Sequence, residues 1–180
     1  MKKISIQSDK PVLQAKLFTV SEIKLSLPEG TKYSHIVARR YPTVCVFPIT
    51  NVYEIYLVSQ YRYLLEKETL ESVAGFIDKG ETTIEAAQRE LKEETGIEAL
   101  QFEEIARLDL SGSVFKAIVH LFLAKGLEFG KAQPEEDECI QLVKIPLTEA
   151  VKKVISGEIS DASTVSGILL LETLRRQKNL

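Results

Sequence analysis

Residues Gly75 to Ile97 read GFIDKGETTIEAAQRELKEETGI, and the rest of the chain is best understood from this stretch. The turn Lys79-Gly80-Glu81 leads into Thr82, with Glu85 three residues later. At that spacing the threonine hydroxyl takes a free helix N–H while the glutamate reaches back to the cap, which predicts a capping box. A helix over about 83–95 follows, and Gly96 stands where a left-handed C-terminal residue is wanted. Ile84, Ala87 and Leu91 fall at i, i+3 and i+7 and form the expected buried stripe. Glu90 and Glu94 are four apart and share a face, with Glu93 beside them. Like charges at that spacing cost about 0.2–0.5 kcal/mol per pair in an isolated helix. One reading is a solvated acidic face relieved by Arg89 and Lys92. The other is a set of hard oxygen ligands, which suits Mg²⁺ or Mn²⁺ held by one or two carboxylates plus substrate phosphates.

Working outward, Leu70-Glu71-Ser72-Val73-Ala74-Gly75 runs directly into the helix segment, and Gln60-Tyr61-Arg62 ends the strand before it. Gly75, then Glu81, then Arg89-Glu90-Leu91-Lys92-Glu93-Glu94-Thr95-Gly96-Ile97 resembles the full signature of the Nudix hydrolases, with no position missing. The flanking words, Gln60-Tyr61-Arg62 and Leu70-Glu71 through Ala74-Gly75, resemble the ADP-ribose pyrophosphatase-like, nucleotide-sugar branch of that family.

That resemblance implies an α+β Nudix fold, a mixed β-sheet sandwiched between helices. It implies metal-dependent hydrolysis of the pyrophosphate bond of ADP-ribose or a related nucleotide sugar, with Mg²⁺ or Mn²⁺ as cofactor. By the same resemblance Glu90 and Glu94 hold metal, the Ala74 carbonyl adds a ligand, and Glu93 binds a further ion or shares in catalysis. Arg89 orients a glutamate, and Arg62 and Glu71 hold the nucleotide end. The acidic run Glu135-Glu136-Asp137-Glu138 resembles a loop that supplies Glu136 as the base and Glu138 as a ligand. GDP-mannose or another sugar nucleotide is the alternative substrate. A binding domain without catalysis is the alternative of another class, and such domains usually lack signature glutamates that this chain keeps.

Upstream, Leu13, Ala15 and Leu17 alternate at period two, as do Ile23, Leu25 and Leu27, and Tyr33 to Ala38 returns after the turn Pro28-Glu29-Gly30. Residues 1–40 therefore read as an antiparallel β-meander and 41–180 as the Nudix domain. Three strands alone bury little, and the resemblance implies that this region pairs two copies into a homodimer. Downstream, Thr43 to Phe47, Glu54 to Gln60, Leu100 to Leu108 and Ala117 to Ala124 read as strands, and Gly126 to Pro134 as a linker. Thr148 is the expected cap of a helix ending at Gly157. Asp161 or Ser163 caps a last helix with Val165, Ile168, Leu169 and Leu171 on its apolar face.

The 180 residues are enough for one domain with a small appendage, and 44% hydrophobic content supplies a core. A net charge of −3 gives no electrostatic footprint for nucleic acid. No apolar run is long enough to span a membrane, and MKKISIQSDK lacks the apolar core of a secretory signal. Cys45 and Cys139 read as buried free thiols in a reducing, cytoplasmic setting. His35 and His120 lie apart and are expected to be structural.

Overall fold

The computed structural model describes residues 4–133 and 139–180. The chain divides into two compact units: residues 1–42 with 109–119, and residues 43–108 with 120–180.

The first unit is a four-stranded sheet in the order β1-β2-β3-β9. Its strands are β1 (Ser5–Gln14), β2 (Phe18–Ser26), β3 (Lys32–Arg40) and β9 (Phe115–Lys116). The first three pair antiparallel, and β9 joins β3 in parallel. The expected meander is present, but its first strand is displaced. β1 begins at Ser5 in polar sequence and ends at Gln14, and Ala15 to Leu17 form the connection to β2. The alternation of Leu13, Ala15 and Leu17 thus spans a strand end and a turn. Leu13 pairs with Val20, and Glu22 with Ile36. Opposed residues in a ladder point to the same side and i, i+2 residues share a side, so Leu13, Phe18, Val20 and Ile36 lie on one face. Three of them, Leu13, Phe18 and Ile36, remain exposed.

The second unit holds two sheets, β7-β4-β10-β8 and β11-β5-β6. Their strands are β4 (Thr43–Pro48), β5 (Glu54–Arg62), β6 (Lys67–Glu71), β7 (Val73–Phe76), β8 (Ile97–Asp109), β10 (Ile118–Phe129) and β11 (Gln141–Pro146). Three helices accompany them: α1 (Thr83–Thr95), α2 (Leu147–Ile155) and α3 (Ala162–Arg176). Every residue of β4 is buried, because helices cover both of its faces. Val44 and Val46 share a core cluster with Ala86, Ala87 and Leu91 of α1. On the opposite face Phe47 meets α3 at Gly167, where a Cβ would stand 2.0 Å from the Phe47 ring. A parallel-sheet-like apolar run such as Val44 to Phe47 is the sequence mark of this two-sided burial. The two sheets with helices packed on them make the α+β Nudix architecture that the resemblance implied.

Several local expectations are corrected. Ile84 is exposed, because the core cluster engages α1 only from Ala86 and Ala87 onward. Gly126 lies inside β10, with φ of 71° at Gly96 and 68° at Gly126 marking two left-handed glycines of different use, one a helix end and one a strand irregularity. The segment read as a linker is strand as far as Phe129. α2 starts at Leu147 behind Pro146, without a side-chain cap, so Thr148 lies within the helix. Asp161 caps α3, accepting from the Thr164 N–H. Leu169 faces outward, while Ile168 and Leu171 are buried with Gly167 between the helix and β4. Cys45 is buried, but Cys139 is exposed, because it lies ahead of β11 and not in it. His120 pairs through Nδ1 with Glu104 at 2.7 Å. Among the described residues no helix is long and apolar enough to cross a membrane.

Candidate active site

The helix that carries the acidic cluster is held locally at both ends. Thr82 and Glu85 form the capping box, with Thr82 N donating to Glu85 Oε2 at 2.8 Å and Glu85 N donating to Thr82 Oγ1 at 3.3 Å. Gly96 takes the left-handed C-terminal position and donates to the Lys92 carbonyl. Between these ends Ala86, Ala87 and Leu91 fix the buried side. That rotation brings Glu94 to the core margin, 6% exposed, while Glu90 turns toward β7.

Arg89 organises the acidic face. Its Nε and Nη2 grip both oxygens of Glu81 at 2.9 and 3.0 Å, a paired geometry that only a guanidinium offers. Its Nη1 donates to Glu90 at 2.7 Å and to Glu93 at 3.1 Å. Nη2 also donates to the Phe76 carbonyl at 2.9 Å, which ties α1 to β7. Hydrogen bonding to Glu81, with pairing to Glu90 and Glu93, outweighs partial burial and raises the arginine's pKa above its ordinary value. The same bond holds the Glu81 carboxyl below the usual range. Arg89 is thus fixed by four partners and acts on the glutamates around it.

Glu90 lies against Gly75. A Cβ built there would stand 1.9 Å from the Glu90 carboxyl carbon and Oε1, so only glycine leaves the carboxylate its place. Ala74, the residue expected to lend a carbonyl, sits one position earlier on β7 and pairs with Cys45.

A second cluster lies on the other sheet. Arg62, at the end of β5, donates to both oxygens of Glu71 on β6 at 3.0 and 2.6 Å. Thr69 donates to Glu71 Oε1 at 2.7 Å. Burial opposes the Glu71 charge, yet the bonds from Arg62 and Thr69 prevail and keep its carboxyl below the usual range. The hydrogen bond to Glu71 raises the Arg62 pKa, and the charges of Glu94 and Asp161 add to that. Arg62 therefore feels both the acidic helix and the cap of α3.

The structure brings together Arg89, Glu90 and Glu93, and separately Arg62 and Glu71. Glu136 and Glu138 lie outside the described residues. Glu81 as the main partner of Arg89, Thr69 as the third member of the Arg62 cluster, and Asp161 near Arg62 were not expected from sequence. Glu81 was visible only as a position in a motif, and the other two are brought near by sheet pairing and helix docking.

The donor chemistry fits a divalent cation. Glu90, Glu93 and Glu94 offer hard carboxylate oxygens, and the space kept at Gly75 is filled by the Glu90 carboxylate. Among the described residues no three His, Cys, Asp or Glu side chains form a ready-made metal cage. Mg²⁺ commonly binds through one or two carboxylates and completes its shell with substrate phosphates, so a site of this kind needs no such cage.

A glycine strand packed on a capped helix whose glutamates are gathered by one arginine defines a Nudix domain. The chain belongs to that family: the NUDIX domain model matches residues 39–164. A methanol dehydrogenase activator from Bacillus methanolicus is 34% identical over 171 residues, covering 91% of this chain and 92% of that protein. An ADP-ribose pyrophosphatase from Bacillus subtilis (strain 168) is 33% identical over 180 residues, covering 94% and 97%. A crystal structure of an ADP compounds hydrolase superposes with a TM-score of 0.87 at 27% identity, covering 100% of this chain and 98% of that one. Within the family the chain is of the ADP-ribose pyrophosphatase-like branch.

Proposed function

We propose that this protein hydrolyses the pyrophosphate bond of ADP-ribose or a related nucleotide sugar. Water adds across the P–O–P link, and the products are a nucleoside monophosphate and a sugar phosphate. The observation that carries this reading is the Arg89 hub, which holds Glu90 and Glu93 on one acidic face of α1 while Gly75 keeps room for the Glu90 carboxylate. The similarity to an ADP-ribose pyrophosphatase over nearly the whole chain supports the substrate class.

In this reading Glu90, Glu94 and the Ala74 carbonyl hold Mg²⁺ or Mn²⁺, with Glu93 and Glu138 as further ligands. The bound cation would offset phosphate charge and polarise phosphorus. Arg89 holds Glu90 and Glu93 in position without touching substrate. Arg62 and Glu71 bind the nucleotide end. Glu136 takes the proton of the attacking water, which requires hydrogen-bond reach, with Glu93 the other carboxylate suited to that role.

We also propose a cytoplasmic homodimer paired through residues 1–40. The exposed apolar face of Leu13, Phe18 and Ile36 supports this, since contiguous apolar patches mark interaction surfaces. Light scattering should give twice the 20.2 kDa chain mass, and Ile36→Asp should return it to one. A doubled mass that survives I36D would place the interface elsewhere.

The activity test is a panel of ADP-ribose, GDP-mannose and other nucleotide sugars incubated with Mg²⁺ or Mn²⁺, with products separated by chromatography. AMP and ribose 5-phosphate in equal amounts are expected from ADP-ribose. Faster turnover of GDP-mannose would move the substrate and keep the reaction. No product from any member of the panel would overturn the reading.

A further inference from the structure

The two halves of the candidate site stand on different sheets. Arg62 and Glu71 belong to β5 and β6, whereas Ala74 and Gly75 belong to β7. The chain passes from one sheet to the other at a single residue, Ser72, between Glu71 and Val73. Glu71 pairs with Val58 in one ladder and Val73 with Val46 in the other. The crossing is buried, with Ser72 1% exposed. A buried N–H at such a point needs a partner from outside the two ladders.

That partner is Thr164 in the first turn of α3. The Ser72 N–H donates to Thr164 Oγ1 at 2.9 Å, and the two hydroxyls are 3.4 Å apart. Thr164 is wholly buried. Its own hydroxyl donates to Asp161 Oδ2 at 2.8 Å, and its N–H donates to the same oxygen at 2.8 Å. The threonine proton is therefore committed to Asp161, which leaves its lone pairs to accept from Ser72. One turn earlier Lys67 Nζ on β6 donates to Ser160 Oγ at 3.2 Å, a second tie to the same corner. A helix cap needs only Asp161 and an N–H. The wholly buried hydroxyl aimed at the sheet crossing goes beyond what capping requires.

We propose that Thr164, aligned by Asp161, is a positioning residue for hydrolysis. It fixes the crossing at Ser72, and so the placement of the Arg62–Glu71 pair relative to Gly75 and the Glu90 carboxylate packed on it. The proposal rests on the pyrophosphatase reading above. A substrate that spans both halves must meet them at one spacing, and a misplacement near 1 Å costs about 10²-fold in rate. The charge of Asp161, already felt by Arg62, is consistent with this corner lying close to the nucleotide pair.

The test uses Thr164→Val, which keeps the shape and removes the hydroxyl, with Thr164→Ser as the conservative control. Both are assayed with the best nucleotide sugar of the panel, well below the melting temperature of each variant. The expected result is a kcat lowered about tenfold or more in T164V, recovery in T164S, and inhibition by the free nucleoside unchanged, since that ligand carries no phosphate to reach the Glu90 half of the site. A merely structural role would lower the melting temperature and leave kcat alone, and that outcome overturns the proposal. If T164V does not fold, Asp161→Ala decides, because it leaves the buried hydroxyl present but unaligned. Wild-type kcat in D161A overturns the proposal, and a lowered kcat with unchanged inhibition by the free nucleoside supports it. A wild-type protein inert toward every nucleotide sugar overturns the functional reading and this inference with it. An active wild type with indifferent variants overturns the inference alone.

Discussion

The Glu90 carboxylate occupies the space in which residue 75 would carry a side chain, 1.9 Å from the position of a Cβ on Gly75. The two residues belong to different elements, β7 and α1, and each dictates the other. Substituting Gly75→Ala forces the carboxylate away. The displaced atoms are the far end of a flexible side chain, so the fold can absorb the change while the carboxylate loses its place. The expected outcome is a melting temperature close to wild type, with kcat reduced by about 10². Unchanged turnover in G75A would show that the Glu90 carboxylate need not lie against β7.

Arg89 is predicted to act through its glutamates. Lysine keeps the charge but cannot grip Glu81 with two nitrogens while also reaching Glu90, Glu93 and the Phe76 carbonyl. Loss of such supporting contacts typically costs about 10–100-fold in metal affinity or activity. Titrating activity against Mg²⁺ should place the half-saturation of Arg89→Lys well above that of wild type, with KM for the nucleotide sugar nearly unchanged. A raised KM with the wild-type metal dependence would make Arg89 a substrate contact.

Glu172 offers a pH test remote from the acidic helix. Hydrogen bonds from Arg175 and Arg176 hold its carboxyl down at about 2, against a burial that opposes the charge. A carboxyl depressed on folding adds stability that is complete above its unfolded value of 4.5 and is lost as pH falls through about 2. Melting curves of wild type and Glu172→Gln should therefore differ near neutrality and converge as the pH drops from 4.5 toward 2. A gap that stays constant across that window would mean the pairing contributes nothing through ionisation.

How much of this was legible in the sequence follows from the range of the interactions involved. The capping box of Thr82 and Glu85 and the left-handed Gly96 depend on neighbours a few residues away, and both were read directly. Ile84 obeyed the same helical period and is nevertheless exposed, because periodicity says which face is apolar and not where along the helix the sheet begins. Residues 70–75 read as one continuous word, yet they contain a change of sheet at Ser72, whose N–H is met by Thr164, far along the chain. Arg89 was read as orienting a glutamate. Its bonds to Glu81 and to the Phe76 carbonyl required the docking of α1 on β7. Leu169 and Cys139 failed for a related reason: an apolar residue is drawn inward only where another element waits to cover it.

The central claim is that the acidic face of α1 is the reaction centre, and Glu94 tests it most directly. It is nearly buried at the end of the cluster, and glutamine would fill its volume while removing the charge. Initial rates of ADP-ribose hydrolysis by wild type and Glu94→Gln should be compared at saturating Mg²⁺, after circular dichroism shows both folded. The account predicts a kcat lower by about 10²–10³ in E94Q. Turnover near wild type in E94Q would contradict it.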